Sequence, residues 1–412
     1  MNKVNSNKRD RRSLYLIILC WLVYTCSYIG KLSYNANINT IGEAFGVDNT
    51  ALGTVSTFFF FTYGCGQVIN GMLCKSYNIK YTIFVCLTVT GVINLSIPFI
   101  TDFSIVKYLW LANGVAMSFL WTLLIRLLSE QLNDEYISKA IFAMGTTVAT
   151  GTFLVYGVSS LFAAIASYKL TFFFASGMIF VSAFIWMISY NRLTVKTESS
   201  SSNNEAIQKI EKDRSGLKTV YVLIAILTFF AVANNFVKDG LTAWTPTILS
   251  DLYATPDWLS ILLTLLLPAL GICGVTIALF TYRRTKSFIG TCTCMFTVAS
   301  VLIGAVIILL STPLLPITVA CFAIVSCVMA SVNNVITSMV PLNLKEKVNS
   351  GKLAGILNGF CYLGSTLSTY TLGAVSETKA GWLGVFYLLL AISILVTVTG
   401  SIYLIFAEKR RA

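Results

Sequence analysis

The feature that most constrains this chain is a series of apolar runs, each about as long as a lipid bilayer is thick. A hydrocarbon core about 30 Å thick needs roughly 20 residues of helix to cross it. Twelve such runs occur, six on each side of one polar stretch: 14–38, 51–73, 80–100, 105–129, 138–166, 169–190, 219–248, 258–281, 287–311, 315–341, 352–375 and 382–406. The sequence therefore predicts an all-α, polytopic membrane protein with twelve transmembrane helices in two pseudo-symmetric six-helix bundles.

Composition supports the same class of protein. Hydrophobic residues make up 56% of the 412 residues and charged residues only 11%, whereas about 25% of a soluble chain is charged. This excess of apolar residues argues against a soluble enzyme, a coiled coil, a disordered regulator or a nucleic-acid-binding protein. The first apolar run is too long for a cleaved signal peptide, so we expect it to remain as the first helix.

One polar stretch, 191–217, divides the runs into two groups of six. It contains four consecutive serines and alternating charges, so it cannot bury enough apolar area to pack like its neighbours. We therefore expect an N-terminal six-helix bundle over 1–190, a cytoplasmic linker over 191–217 and a C-terminal six-helix bundle over 218–412.

The basic residues predict an orientation. Three lie in the loops of one side, Lys107, Lys169 and Lys379, and three lie inside helices, Lys31, Arg126 and Lys238. The other 23 of the 29 lie in segments on the side of the N-terminus. Because cytoplasmic loops carry the excess of lysine and arginine, both termini should be cytoplasmic in a multi-pass protein of the plasma membrane. The net charge of +12 then faces anionic lipid, and we expect no nucleic-acid partner.

The sequence offers little for catalysis or metal binding. Histidine is absent, and the eleven cysteines lie mostly within apolar runs, where they are typical packing residues. No nucleotide-binding loop, metal-ligand cluster or nucleophile–base pair is recognisable. We expect no enzymatic activity, no metal and no cofactor.

Two lysines inside predicted helices indicate a site. A charge at the bilayer centre costs about 2.5–3.5 kcal/mol on insertion scales, so a charged residue is found there mainly when it is paired or has a function. Lys31 and Lys238 lie at matching depth in the first helices of the two bundles, roughly 25 Å along each helix. Facing each other across a pseudo-twofold axis, they would form an anion trap. The alternative is that each snorkels to an interface or pairs with a carboxylate.

The carboxylate available for pairing or for proton coupling is Asp239, the only one within a predicted helix. It adjoins Lys238, and neighbouring side chains on a helix do not face each other, so it could neutralise one lysine but not both. Arg126 lies near the cytoplasmic end of the fourth run, close to Glu130. It could snorkel there, or it could serve as a gate or phosphate contact.

Several motifs resemble those of the major facilitator superfamily, and in particular its organophosphate:phosphate antiporters, which transport glycerol 3-phosphate and hexose 6-phosphate. The signature between helices 2 and 3 matches at Gly71, Leu73 and Lys80, but Lys75 stands where the family has aspartate. Sharper matches are spread over helices 1, 2, 4, 7 and 11. They comprise Tyr24, Tyr28, Lys31, Tyr63, Gly114, Trp121, Arg126, Lys238, Gly240, Trp244, Pro246, Thr247, Gly359, Tyr362, Gly364 and Ser365.

The resemblance implies that Lys31 and Lys238 occupy the positions of the family's two phosphate-clamping arginines. An ammonium is a point charge and not a planar fork, so the geometry of the site is looser here. Hydroxyl donors would come from Tyr24, Tyr28, Tyr63 and Tyr362, and Trp121 would form an apolar wall.

The expected function is secondary active transport of a small organic anion by alternating access. The resemblance points to a phosphorylated metabolite exchanged for inorganic phosphate. Two alternatives stay open: a proton-coupled transporter of a carboxylate or drug-like solute, or a transporter-like membrane sensor of sugar phosphate. In each case we expect a monomer whose partners are the lipid bilayer and a small solute.

Overall fold

The computed structural model describes residues 2–73, 76–165, 167–194, 214–310, 314–344 and 350–409. Within these ranges the regular structure is entirely helical. The first half contains α1 Asn2–Ala36, α2 Ile38–Phe45, α3 Asn49–Leu73, α4 Ile79–Ser96, α5 Phe103–Ser118, α6 Leu120–Gln131, α7 Asp134–Ala164 and α8 Tyr168–Leu193. The second half contains α9 Arg214–Tyr253, α10 Asp257–Thr264, α11 Leu266–Gly271, α12 Gly274–Thr285, α13 Phe288–Leu309, α14 Leu315–Asn334, α15 Val340–Asn343, α16 Ser350–Ser376 and α17 Gly381–Lys409.

Every predicted apolar run coincides with a helix or a group of consecutive helices. The helices extend beyond several predicted bounds: α1 begins at Asn2 and α9 reaches Tyr253. Most of the predicted linker 191–217 lies outside the described residues, so the division of the chain at that point stays a prediction.

Three predicted runs, 105–129, 258–281 and 315–341, are each divided in their interior into separate helices, and proline explains one break in each of the last two. A proline ring clashes with the carbonyl four residues earlier. Thr264 lies four residues before Pro268 and is the last residue of α10. Thr337 lies four residues before Pro341 and belongs to the π-helical turn Val335–Met339. The remaining run, 105–129, divides at Phe119, between α5 and α6.

Within the described residues, nine helical segments are long and apolar enough to cross a membrane. They are Arg11–Ala36, Ile79–Phe99, Phe103–Gln131, Glu135–Ala164, Tyr168–Leu193, Tyr221–Tyr253, Phe288–Leu309, Leu315–Met339 and Gly381–Phe406. The bent pair Asp257–Gly271 and Gly274–Thr285 makes a tenth if it is one span. The all-α polytopic fold is confirmed, whereas the count of twelve stays a prediction.

Helices α3 and α16 are absent from that group because they carry polar residues along their buried faces. Gln67 and Asn70 are buried on α3, and Ser365 and Thr369 on α16. The two helices pack against each other across the two halves of the chain. Their backbones approach closely, since a side chain at Gly53 would overlap the carbonyl oxygen of Thr369.

Hydrogen bonds also join the halves at the end of the molecule that contains α2. The Asn39 amide donates to Ser250 Oγ at 3.3 Å and to Asp257. The backbone N–H of Asn49 donates to Glu377 Oε1 at 2.8 Å, and the Ser160 hydroxyl donates to the carbonyl of Trp258 at 2.6 Å. In the predicted orientation this is the external end of the protein.

Close helix packing gives a first testable prediction. A methyl group at Gly364 on α16 would overlap the carbonyl oxygen of Val232 on α9, and backbone cannot move aside as a side chain can. Gly364→Ala should therefore destabilise the protein by about 1–3 kcal/mol, seen as a lower melting temperature in detergent. Gly355→Ala, on the same helix with open space around it, is the matched control, and equal melting of both variants would contradict this packing.

Candidate anion-binding site

Lys31 on α1 is buried, with 6% of its surface exposed, inside a box of aromatic rings. Its Nζ lies 4.9 Å from the ring centroid of Tyr28, 5.6 Å from Phe59, 5.7 Å from Phe60, 4.4 Å from Tyr63 and 5.3 Å from Tyr362. In the part of the chain that the structure describes, no hydrogen bond or ion pair reaches this ammonium. Ring faces stabilise a cation, but they leave its positive charge without a counter-ion.

Lys238 on α9 is in a different state, because it is paired with the residue that follows it. Its Nζ lies 3.2 Å from Asp239 Oδ1. The expectation that these neighbours point apart is wrong for the charged groups, since the flexible lysine stem spans the angle between them. The pairing of one lysine by Asp239 is therefore present in the structure.

The Asp239 carboxylate is held on its other oxygen as well. Oδ2 accepts a hydrogen bond from Ser365 Oγ on α16 at 2.5 Å and from Asn235 Nδ2 at 3.0 Å. Asn235 also donates to Ser365 Oγ at 3.2 Å, and Asn234 donates to Asn235 Oδ1 at 3.0 Å. The carboxylate is thus fixed between α9 and α16 by three donors.

The predicted tyrosines are brought together around the lysines. The rings of Tyr24 and Tyr28 lie 5.3 Å apart, and Tyr63 on α3 meets Tyr362 on α16 at 4.7 Å. Trp121 on α6 packs against Tyr24 at 4.9 Å. Side chains from both halves of the chain therefore line one region.

The two lysines belong to this one region. Lys238 and Asp239 lie close enough to Lys31 for their charges to act on it, and Asp239 acts similarly on Tyr28 and Tyr362. The site thus contains two ammonium groups and one carboxylate, of which only Lys31 has no partner of opposite charge among the described residues. This arrangement can bind an anion between the two halves.

Helix α1 is fixed in place next to Lys31. The carbonyl oxygen of Gly30 accepts hydrogen bonds from the amides of Asn94 at 3.3 Å and Asn113 at 3.5 Å. A methyl group at Gly30 would overlap the end of the Ile179 side chain, so a larger residue there would require Ile179 to move. These contacts set the depth at which Lys31 enters the site.

The sequence did not single out Phe59 and Phe60 as site residues. They belong to a run of four phenylalanines, Phe58–Phe61, which is indistinguishable from ordinary lipid-facing or packing residues. Asn235 shows nothing in the sequence beyond being polar within a predicted helix, and Ser365 belongs to the motif residues of helix 11.

Arg126 on α6 has different partners from the lysines. Its Nε donates to Glu130 Oε1 at 2.6 Å, and Nη1 donates to the carbonyl of Tyr77 at 3.3 Å. The side chain is 23% exposed. It therefore ties α6 to the segment between α3 and α4.

This position predicts a small effect of Arg126 on ligand affinity. An exposed ion pair contributes about 0–1 kcal/mol, so Arg126→Ala should leave the affinity for a probe anion such as inorganic phosphate within about twofold of wild type. Binding to the purified variant checks this, with Lys31→Ala as the contrasting variant. A tenfold loss of affinity would instead place Arg126 in the binding site.

Comparisons with known proteins agree with this architecture. A family model described as Major Facilitator Superfamily matches residues 20–369. The Membrane sensor protein UhpC of Escherichia coli K12 is 27% identical over 100 residues, which cover 24% of this chain and 23% of that protein. The protein of the same name from Salmonella typhimurium is 28% identical over 105 residues, covering 26% and 24%. The similarity thus spans about a quarter of these relatives.

Solved structures resemble almost the whole chain. A bacterial homologue of the human lysosomal transporter Spinster superposes with a TM-score of 0.75 at 13% identity, covering 97% of both chains. A D-xylose-proton symporter gives a TM-score of 0.70 at 14% identity, covering 93% of this chain and 96% of that one. The nucleoside transporter NupG gives 0.70 at 15% identity, covering 95% and 98%. At these identities the likeness concerns the fold.

Proposed function

This chain belongs to the Major Facilitator Superfamily, and we propose that it is a secondary active transporter of small organic anions. Membership of this family indicates a multi-pass membrane transporter and not an enzyme. The substrate we propose is a phosphorylated metabolite, exchanged for inorganic phosphate by alternating access. The protein would act as a monomer in the plasma membrane, with both termini and the 191–217 linker in the cytoplasm.

The observation that carries this proposal is the ammonium of Lys31, which has no hydrogen-bond or ion-pair partner among the residues that the structure describes. Burying a charge without a partner is costly, and such a cost is maintained where a ligand supplies the missing charge. Tyr362 belongs to the second half of the chain and lies against Lys31 from the first half. An anion bound between Lys31 and Lys238 would therefore contact both halves and favour their closure around it.

Counterflow in proteoliposomes tests this function. Vesicles loaded with inorganic phosphate should take up labelled glycerol 3-phosphate or a hexose 6-phosphate, and a panel of carboxylates provides the comparison. Uptake of phosphorylated compounds that depends on internal phosphate is the expected result. Uptake of carboxylates alone, or uptake that requires a proton gradient and no internal anion, would contradict phosphate exchange and favour the proton-coupled alternative.

A second candidate function is that of a membrane sensor, which the similarity to proteins of that name favours. A sensor would bind the phosphorylated compound with the same lysines without carrying it across. Saturable binding by the purified protein combined with no counterflow would support the sensor. Binding with counterflow would support the transporter.

A further inference from the structure

The positive and negative charges of the side chains in the site do not cancel. Lys31 and Lys238 supply two positive charges and Asp239 one negative charge, so the site carries a net charge of one positive unit. Arg126 makes no contribution, because it is paired with Glu130. The net charge of a site sets which ligand charge can be bound without leaving an uncompensated charge in a poorly solvated region.

The Asp239 carboxylate accepts from donors on two helices. The Lys238 ammonium and the Asn235 amide donate to it from α9, and the Ser365 hydroxyl donates to it from α16. A ligand would therefore meet a carboxylate that stays in place, because its hydrogen bonds come from two helices, α9 and α16.

The groups that face Asp239 come from three helices. Lys238 and Asn235 share α9 with it. Ser365, Tyr362 and Cys361 lie near it on α16, and Lys31 and Tyr28 lie near it on α1. Lys31 and Lys238 are the cations in this set, and Asp239 is its only carboxylate. A ligand with one negative charge would make the site neutral, whereas a second negative charge would lie near Asp239 with no cation left to balance it.

We infer that the site selects the singly charged form of its substrate and that Asp239 is the residue that sets this charge preference. This inference rests on the proposed function. For a phosphate monoester, whose second ionisation lies near pH 6, the preferred species is the form that retains one proton. Monoanions of similar shape, such as sulfate monoesters, would then bind at least as well as phosphate monoesters at neutral pH.

A pair of ligands with the same shape and different charge tests this. Glycerol 3-sulfate is a monoanion at every working pH, whereas glycerol 3-phosphate changes from monoanion to dianion between about pH 5 and 8. Binding of both to the purified full-length protein in nanodiscs is measured at the two pH values. The ratio of the two dissociation constants cancels any titration of the protein that affects both ligands equally.

For the wild-type protein, the affinity for the phosphate ester should fall relative to that for the sulfate ester by about tenfold or more between pH 5 and 8. This is the lower end of the effect expected for one charge-assisted contact. Asp239→Asn, which raises the net charge of the site to two, should abolish or reverse this change. Asp251→Asn is the matched control, because Asp251 lies on the same helix but accepts a hydrogen bond from Trp382, outside the site. This control should retain the wild-type ratio.

The wild-type measurement decides the inference even if Asp239→Asn fails to fold. A phosphate ester that gains affinity relative to the sulfate ester at pH 8 would overturn the charge preference while leaving the proposed anion site intact. An unchanged ratio would overturn it as well. Absence of binding by both esters at both pH values would instead contradict the proposed phosphorylated substrate, and with it the inference.

Discussion

Replacing Lys31 with alanine should weaken the binding of glycerol 3-phosphate by about 10- to 150-fold, since a charge-assisted contact is worth about 1.5–3 kcal/mol. The same change should leave the ligand-free protein as stable as wild type or more stable, because it removes a buried charge that has no ion-pair partner among the described residues. Loss of binding without loss of stability distinguishes a functional lysine from a structural one. Equilibrium binding and thermal unfolding of the purified variant measure both quantities.

Two further variants control this experiment. Lys139→Ala removes an exposed lysine that pairs with Glu135 at 3.8 Å and should change neither quantity. Lys31→Arg retains the charge and should retain most of the binding, although the planar guanidinium fits the aromatic box differently. Wild-type affinity in Lys31→Ala would show that Lys31 is structural.

Replacing Lys238 should give a different result from replacing Lys31. Lys238→Ala removes one ligand contact and also leaves Asp239 without its cation. Breaking a fully buried pair costs about 3–5 kcal/mol, and since Lys238 and Asp239 are 24% and 20% exposed, the cost here should be smaller. The variant should lose both affinity, by at least about tenfold, and thermal stability.

A double-mutant cycle separates the two losses. In Lys238→Ala with Asp239→Asn, the uncompensated carboxylate is gone, so stability should return towards wild type and the site should again carry one positive charge. Strong coupling between the two positions is the expected outcome. If the effects of the two single substitutions on stability and on binding simply add, the 3.2 Å ion pair between Lys238 and Asp239 contributes to neither.

The sequence treated the two lysines as equivalent members of a clamp, and the structure shows why they differ. Their similar depth is a prediction from the spacing along each helix. Whether a lysine has a counter-ion depends on side-chain conformation. The Lys238 stem reaches Asp239 although neighbouring helix positions diverge, while Lys31 is enclosed by rings from α1, α3 and α16.

Helix positions were predictable because the apolar runs are long and bounded by polar residues. Interruptions inside the runs were harder to foresee. Pro268 and Pro341 marked two of them, but nothing in the sequence marked the break at Phe119. The lower apolarity of α3 and α16 has a structural reason, since their polar residues make contacts between helices. Thr57 on α3 lies 2.9 Å from Thr369 on α16, and Ser365 on α16 donates to Asp239 in the site.

The two phenylalanines of the aromatic box were the part of the site that sequence could not assign. Tyr28, Tyr63 and Tyr362 carried family matches, but Phe59 and Phe60 looked like their neighbours in a phenylalanine run. Their role follows from the rotation of α3, which brings both rings to within 6 Å of Lys31 Nζ. That rotation is set by packing against α16 and α5, which no local pattern reports.

The most direct test of the account is to locate a bound anion. Tungstate is a tetrahedral oxyanion with strong anomalous scattering, so its position can be read from a crystal of the full-length protein soaked with it. We predict an anomalous peak between Lys31 and Lys238, with oxygen atoms within hydrogen-bond distance, about 2.7–2.9 Å, of Lys31 Nζ. Glycerol 3-phosphate should displace it. A peak confined to the basic segment at Arg283, Arg284 and Lys286, with none beside Lys31, would contradict the central claim that this buried lysine binds the transported anion.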